Sequence, residues 1–307
     1  MKKAFVSHLC AYAQAHEDLY LMCGDLGYGV LNPFREQFGE RFINAGICEQ
    51  NMTSVAAGMA LGGKNVFKYS IANFPTLRPL EQIRNDVAHH DANVTIVAVG
   101  GGFSYGPLGM SHHATEDLAI LRALPNMTVF TPCDPEEAGA ATDLAAKTPH
   151  PCYLRLGRGG EPSIPHIRKD YRLGGASVLR EGKDLAILCA GAIASEALAA
   201  AEQLSAAGID CDVRSFFTIK PMNEAAVLEA AKRYPLLVTV EEGNVNGGFG
   251  SAVTEICAAA GAQTRVVRMG LQDEYTNVIG SQAYLRDTYG LSAAKLAANI
   301  QALWRQA

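Results

Sequence analysis

The sequence lacks the features that mark several functional classes. It has no CxxC pair: its eight cysteines (Cys10, Cys23, Cys48, Cys133, Cys152, Cys189, Cys211 and Cys257) are scattered. That spacing gives neither a disulfide frame nor a zinc-binding pattern, and it reads as reduced thiols in a cytoplasmic protein. There is no basic run, and the net charge is -5, so nucleic acid and anionic membranes are poor partners. No apolar stretch is long enough to span a bilayer, because charge and glycine interrupt the alanine-rich segments. The opening Met1-Lys2-Lys3-Ala4-Phe5 lacks the apolar core and cleavage site of a secretory signal. The glycine-rich Cys23–Gly29 has no GK[ST] and no strand–GxGxxG–helix setting, which excludes a P-loop and a dinucleotide fingerprint.

What is present is glycine and alternation. The 307 residues are 49% hydrophobic and 19% charged, which suits one large or two medium domains. Thirty glycines imply many tight strand–helix turns. Apolar periodicity predicts helices over residues 4–16, Glu49–Leu61, Pro79–His89, Thr115–Leu124 and Pro135–Ala146. It predicts strands at Asp18–Met22, Phe42–Ala45, Asn65–Tyr69, Asn93–Val99, Met127–Phe130 and Cys152–Leu156. The pattern lapses from Glu161 to Tyr171, where a domain boundary belongs. A second unit follows, with strands near Leu185–Cys189, Cys211–Arg214, Leu236–Val240 and Arg265–Arg268. Its helices lie near Ala194–Ala206, Glu224–Arg233, Gly250–Ala260 and Ala293–Leu303. The fold class expected is α/β, two doubly wound domains over residues 1–163 and 175–307.

Two stretches carry chemistry. Phe42 to Met52 runs from a strand through a glycine turn into a helix and sets Glu49 at the first turn, among Ala45, Ile47 and Met52. Such an acid is either a helix-start charge favoured by the macrodipole or a buried carboxyl put to use. The helix it opens is dense in alanine and glycine, which implies burial. The long loop Gly100–His113 follows a strand, where α/β folds place ligands, and it ends on Ser111-His112-His113.

Three motifs, in order, resemble the transketolase and deoxyxylulose-phosphate synthase family. Gly46-Ile47-Cys48-Glu49-Gln50-Asn51-Met52 is similar to G-I-x-E-Q-N-M. Leu121 to Met127 followed by Pro132-Cys133-Asp134 is similar to L-R-x-x-P-N-M…P-x-D. Glu241-Glu242-Gly243 followed by Gly247 to Val253 is similar to E-E-H…G-G-x-G-S-A-V. The resemblance covers only the second half of such enzymes. The G-D-G and downstream Asn-Asn that bind Mg²⁺ and diphosphate are not found; Gly24-Asp25 continues with Leu26. The resemblance therefore implies the C-terminal subunit of a split transketolase, made of the pyrimidine-binding and C-terminal domains. It implies thiamine diphosphate as cofactor, with Mg²⁺ held by a separate N-terminal subunit, in an α2β2 assembly acting on a sugar or sugar phosphate.

The same resemblance implies roles residue by residue. Glu49 is the acid at the pyrimidine nitrogen and Phe74 the ring surface. Asp25 is a cofactor-side acid near the subunit junction. His112 contacts the donor oxygen and moves protons, with His113 sharing substrate contact. Arg158 holds a sugar phosphate, Arg155 is a weaker candidate, and no metal ligands are expected. Departures matter: Leu108 replaces an acid, Gly100 or Gly101 replaces a phosphate-gripping His or Arg, and Ile71 replaces an aromatic. They point to a wider, less charged pocket and a modified or nucleotide-linked sugar. The β subunit of a 2-oxo-acid dehydrogenase, deoxyxylulose-phosphate synthase chemistry and a non-catalytic partner are the alternatives.

Overall fold

The computed structural model describes residues 1–306. Helix α1 (Lys2–Ala15) leads into β1 (Leu19–Cys23), α2 (Asn32–Phe38), β2 (Phe42–Asn44), α3 (Glu49–Leu61) and β3 (Asn65–Ile71). Then come α4 (Leu80–Gln82), which continues as a π-helix over Ile83–Ala88, β4 (Val94–Val99), α5 (Asp117–Ala123), β5 (Thr128–Phe130), α6 (Pro135–Lys147) and β6 (Cys152–Leu156). The second half holds β7 (Ser177–Arg180), β8 (Leu185–Ala190), α7 (Ala194–Ala206), β9 (Cys211–Ser215), β10 (Thr218–Lys220), α8 (Glu224–Arg233), β11 (Leu236–Asn244) and α9 (Phe249–Ala259). It ends with β12 (Arg265–Leu271), α10 (Gln282–Thr288) and α11 (Ala293–Trp304).

The strands form two sheets, ordered β10-β5-β6-β4-β3-β1-β2 and β12-β11-β8-β9-β7. Each is parallel except at one edge, where β10 runs antiparallel to β5 and β7 antiparallel to β9. Strands β4 and β8 are buried along their whole length, as unbroken apolar runs covered by helices on both faces must be. The two α/β domains expected from the alternation are there, and the first sheet has one surprise. Its last strand, β10, comes from the second half of the chain: Thr218 pairs with Phe130 across the boundary.

Helix α3 has the expected bounds but is buried on one face only. Glu49, Met52, Thr53, Ala56 and Ala57 turn inward, while Val55 is 42% and Leu61 61% exposed. Its small residues let it lie close to β3 without covering it all round. All eight cysteines are free. Among the described residues, no helix is long and apolar enough to cross a membrane.

The first sheet also makes the site. After β1 the chain moves outward to β2 and then returns to β3 on β1's other side. Loops that leave the carboxyl ends of strands around such a reversal open a crevice. Glu49 follows β2, Phe74 follows β3, His112 follows β4 and Arg158 follows β6.

Candidate active site

Glu49 is the first residue of α3 and is 5% exposed. The helix start favours its negative charge. Arg78 donates from Nη1 to both carboxylate oxygens, at 3.2 Å each. Ile47, expected to help bury it, instead points outward at 76% exposure; the glycine turn at Gly46, with φ 77°, swings it away. The guanidinium of Arg78 lies 4.1 Å from the centroid of the Phe74 ring. Phe74 in turn meets His112 edge-on, with ring centroids 5.1 Å apart. Glu49, Phe74 and His112 therefore lie along one row of contacts, with Arg78 between the first two.

His112 accepts or donates at Nδ1 with the Ser111 hydroxyl, 3.0 Å away. Its pKa is lowered, first by burial and then by the neighbouring His113 and Arg78. It is neutral near pH 7, so one ring nitrogen donates and the other accepts. His113 is placed differently. It is 2% exposed, its Nδ1 is 2.7 Å from the Thr276 hydroxyl, and its Nε2 is 3.2 Å from the Gly106 carbonyl. Both ring nitrogens are engaged within the protein, which leaves none for a substrate.

Arg158 sits beyond Tyr105: the guanidinium is 5.2 Å from that ring, whose other neighbour is His112 at 6.5 Å. Arg158 lines a cleft of about 870 Å³ together with Lys2, Lys3, Ser104 and Gln282. Three basic side chains and the Glu161 carboxylate face this cleft, whose lining includes none of Glu49, Phe74 and His112. Gly100, at φ +94°, has a physical reason to be glycine: a Cβ there would lie 2.2 Å from the Tyr105 ring. At Gly101 a Cβ would meet Arg155 at 2.6 Å. Leu108 is 53% exposed on the same loop. Asp25 is exposed at the end of β1, where Tyr28 and Asn44 donate to its Oδ1 at 2.6 and 2.9 Å. Those bonds, Tyr28 first, hold its carboxyl below the usual range.

Three groups support the site; Lys68 and Glu242 had no signal as site residues, and Arg155, the weaker phosphate candidate, is turned inward. Lys68, in the buried strand β3, is fully buried; Nζ donates to the Thr53 hydroxyl at 2.7 Å and the Pro75 carbonyl at 3.0 Å. Thr53 donates its own hydroxyl proton to the Glu49 carbonyl at 2.6 Å. Lys68 thus ties the helix of Glu49 to the loop of Phe74. Glu242 accepts the Phe103 amide at 2.6 Å, Gln282 at 2.9 Å and Arg286 Nε at 2.7 Å. Arg155 bonds Asp117 at 2.7 Å and the carbonyls of Ala114 and Glu242 at 2.7 and 2.9 Å. These clamps fix both ends of the loop that carries His112. Glu241 receives the Phe249 and Gly250 amides at 2.9 and 2.8 Å, so the first acid of the pair and the glycine run form one helix start, while Glu242 serves the loop.

Comparison with known proteins gives the family. Residues 1–161 match the family model of the transketolase pyrimidine-binding domain, and residues 174–296 that of the transketolase C-terminal domain. A 6-deoxy-6-sulfo-D-fructose transketolase subunit of Clostridium sp. is 35% identical, over 96% of this chain and 92% of its own. An apulose-4-phosphate transketolase subunit from Phocaeicola vulgatus is 34% identical, over 94% of this chain and 93% of its own. A solved split-gene transketolase, described as an inactive β4 tetramer, superposes with a TM-score of 0.89 at 36% identity, covering 97% of this chain and 96% of that one. This chain belongs to the transketolase family and carries its pyrimidine-binding and C-terminal domains, in the form of a split subunit.

Proposed function

We propose that the chain is the C-terminal subunit of a two-subunit enzyme that moves a two-carbon ketol unit from a ketose to an aldose with thiamine diphosphate. The observation that carries this reading is the row of contacts that joins a buried helix-start carboxylate, through Arg78, to a half-buried phenyl ring and a neutral imidazole. The residues fit an aminopyrimidine. The flat, N–H-bearing guanidinium of Arg78 already lies on Phe74 and bonds Glu49. A pyrimidine ring needs the same two contacts, a stacking face and an acid at a ring nitrogen.

When bound, the cofactor supplies a nucleophilic carbon that takes up and releases the two-carbon unit. Glu49 would hold a proton at the ring nitrogen, and Phe74 would fix the plane of the ring. Arg78, with its side chain half exposed, would turn outward to yield both contacts. His112 would exchange a proton with the substrate oxygen from its neutral form. Arg158, with Lys2 and Lys3, would hold an anionic end of the sugar, a phosphate or a sulfonate. His113 would position the loop, and Asp25 would face the subunit junction.

In this reading an N-terminal subunit holds the diphosphate and Mg²⁺, in an α2β2 assembly. Exposed apolar side chains on the elements that carry the site support a covering partner: Tyr28, Ile47, Val55, Leu61, Leu108 and Met110 are each 42% to 76% exposed. The test combines the chain with its N-terminal subunit, thiamine diphosphate and Mg²⁺. Ketoses ending in phosphate or sulfonate are offered with a panel of aldoses. Ketol transfer is expected, with Glu49→Gln lowering kcat by about 10²–10⁴-fold while the subunits still associate. Lipoamide-dependent decarboxylation of a 2-oxo acid would overturn the reading. Unchanged turnover in Glu49→Gln would make the chain a non-catalytic partner.

A further inference from the structure

A second cluster of chemistry-bearing side chains lies away from the cleft, at the seam between the two sheets. Cys133 is in the turn from β5 to α6, Glu137 is in the first turn of α6, and His166 is in the connection between the domains. The Cys133 sulfur, one carboxylate oxygen of Glu137 and a ring nitrogen of His166 all lie within 4.8 Å of one another. None of the proposed ketol chemistry uses them.

The hydrogen bonding of this cluster is incomplete on one side only. Glu137 Oε2 accepts the Cys133 amide at 2.8 Å and the Ser215 hydroxyl at 3.0 Å, whereas Oε1 is buried with no hydrogen-bond partner. The His166 side chain is 0% exposed, and neither of its ring nitrogens makes a hydrogen bond. Nδ1 is 3.9 Å from the free oxygen of Glu137. Nε2 is 3.5 Å from Asp134 Oδ2, which also accepts the Ile164 amide at 3.0 Å. Asp134 is itself fixed as the N-cap of α6 through the Glu137 amide, 2.8 Å from Oδ1. Buried polar atoms without partners are rare because each costs its desolvation, so the facing pair of Glu137 Oε1 and His166 Nδ1, beside the Cys133 sulfur, calls for a ligand.

We propose that Cys133, Glu137 and His166 bind a divalent transition metal of the zinc class, with Asp134 as the carboxylate that orients the histidine. A thiolate, an imidazole and a carboxylate are a donor set that zinc accepts in tetrahedral sites. A carboxylate at the second ring nitrogen is the usual companion of a metal-bound histidine. Zinc–ligand bonds of about 2.0–2.3 Å require the donors to close in by up to roughly 1 Å. On binding, the Cys133 thiol loses its proton to solvent and a water takes the fourth position. The ion would join the first domain to the connection that leads into the second. The cysteine spacing conceals such a site, because its ligands come from distant parts of the sequence.

The experiment uses the full chain, purified without a metal-binding tag. Metal content is measured by mass spectrometry, and Co²⁺ is then added to the metal-stripped protein. Near-stoichiometric zinc is expected in the unaltered chain, falling at least tenfold in Cys133→Ser and His166→Gln. Cobalt should give the near-ultraviolet charge-transfer band of a thiolate ligand, lost in Cys133→Ser. Chelation should lower the melting temperature of the unaltered chain, and leave that of folded Cys133→Ser unmoved. An unaltered chain that carries no metal and gives no thiolate–cobalt band overturns the proposal and leaves His166 as an imidazolium between two carboxylates. A cobalt band that survives in Cys133→Ser overturns it too, by placing the ion elsewhere.

Discussion

Lys68 puts an amine inside the protein, in the middle of a parallel strand, with the Thr53 hydroxyl and the Pro75 carbonyl to accept from it. Burial lowers its pKa from 10.5 to about 7, against a smaller opposing pull from Glu49. The sign of its linkage follows. Between pH 7 and 10.5 the unfolded chain holds the Lys68 proton and the folded chain does not, so this residue makes stability rise with pH in that window. The slope approaches about 1.4 kcal/mol per pH unit. Urea unfolding from about pH 7 to 10 should show that rise in the unaltered protein and a flatter profile in Lys68→Met. Equal slopes would mean that Lys68 is not the group responsible. The same variant frees the Pro75 carbonyl and loosens Phe74, so thiamine diphosphate affinity of the two-subunit complex should fall about tenfold, for about 1.4 kcal/mol lost. At this scale the sequence was legible where motifs stand in contiguous runs: Glu49, Phe74 and His112 lie in neighbouring contacts through Arg78. It was not legible at Lys68 or Arg78, because a lone base in an apolar or loop segment reads as a solvated surface charge.

Elements explain why the loop after β4 holds its shape. It carries two short 3-10 turns, over Gly106–Leu108 and Met110–His112, closes on itself through a Gly102–Ala114 bridge, and is held at either end by Glu242 from β11 and Arg155 from β6. Breaking one partner of a buried ion pair costs roughly 3–5 kcal/mol. Glu242→Gln should therefore destabilise the chain by about that amount in urea, and raise KM for the ketose more than it lowers kcat. No change in stability would show that the clamp is redundant. Gly100→Ala meets the Tyr105 ring at 2.2 Å in a backbone conformation unfavourable to alanine. It should push Tyr105 off Arg158 and weaken binding of anionic sugars, as isothermal titration on the complex would show. Helices read well from sequence: α3, α7 and α8 have the bounds that periodicity predicts. Some short elements did not, although β2, β5 and α5 were expected. Strand β10 has three residues, and α2 and α10 seven each, too few turns of a pattern to stand out. The helix expected over Pro79–His89 is there in part, but it relaxes to a π-helix from Ile83, which spacing alone does not encode.

For the whole molecule, the informative contacts cross between the two domain families. The Phe103 amide reaches Glu242 across 139 positions, and Thr131 bonds the Phe216 carbonyl at 2.9 Å across 85. No local periodicity announces such pairs, which is why the alternation predicted two separate units and missed how closely they are joined. The apolar side chains left outside set a further expectation. Leu108→Asp, on the exposed rim of the cleft, should weaken association with the N-terminal subunit, at least tenfold in sedimentation, while the chain keeps its melting temperature. Unaltered association would place the partner elsewhere. The strand from Thr218 to Lys220 carries the last consequence. It lends its backbone to a sheet whose other members all precede residue 157. A gene cut in the connection between the domains would leave one fragment with an open row of amide and carbonyl groups along Thr128–Phe130, ready to pair with another copy. The chain can thus be parsed into two families on paper, but its hydrogen bonds were never divided that way, and a modular swap of either half must carry this strand with the sheet it completes.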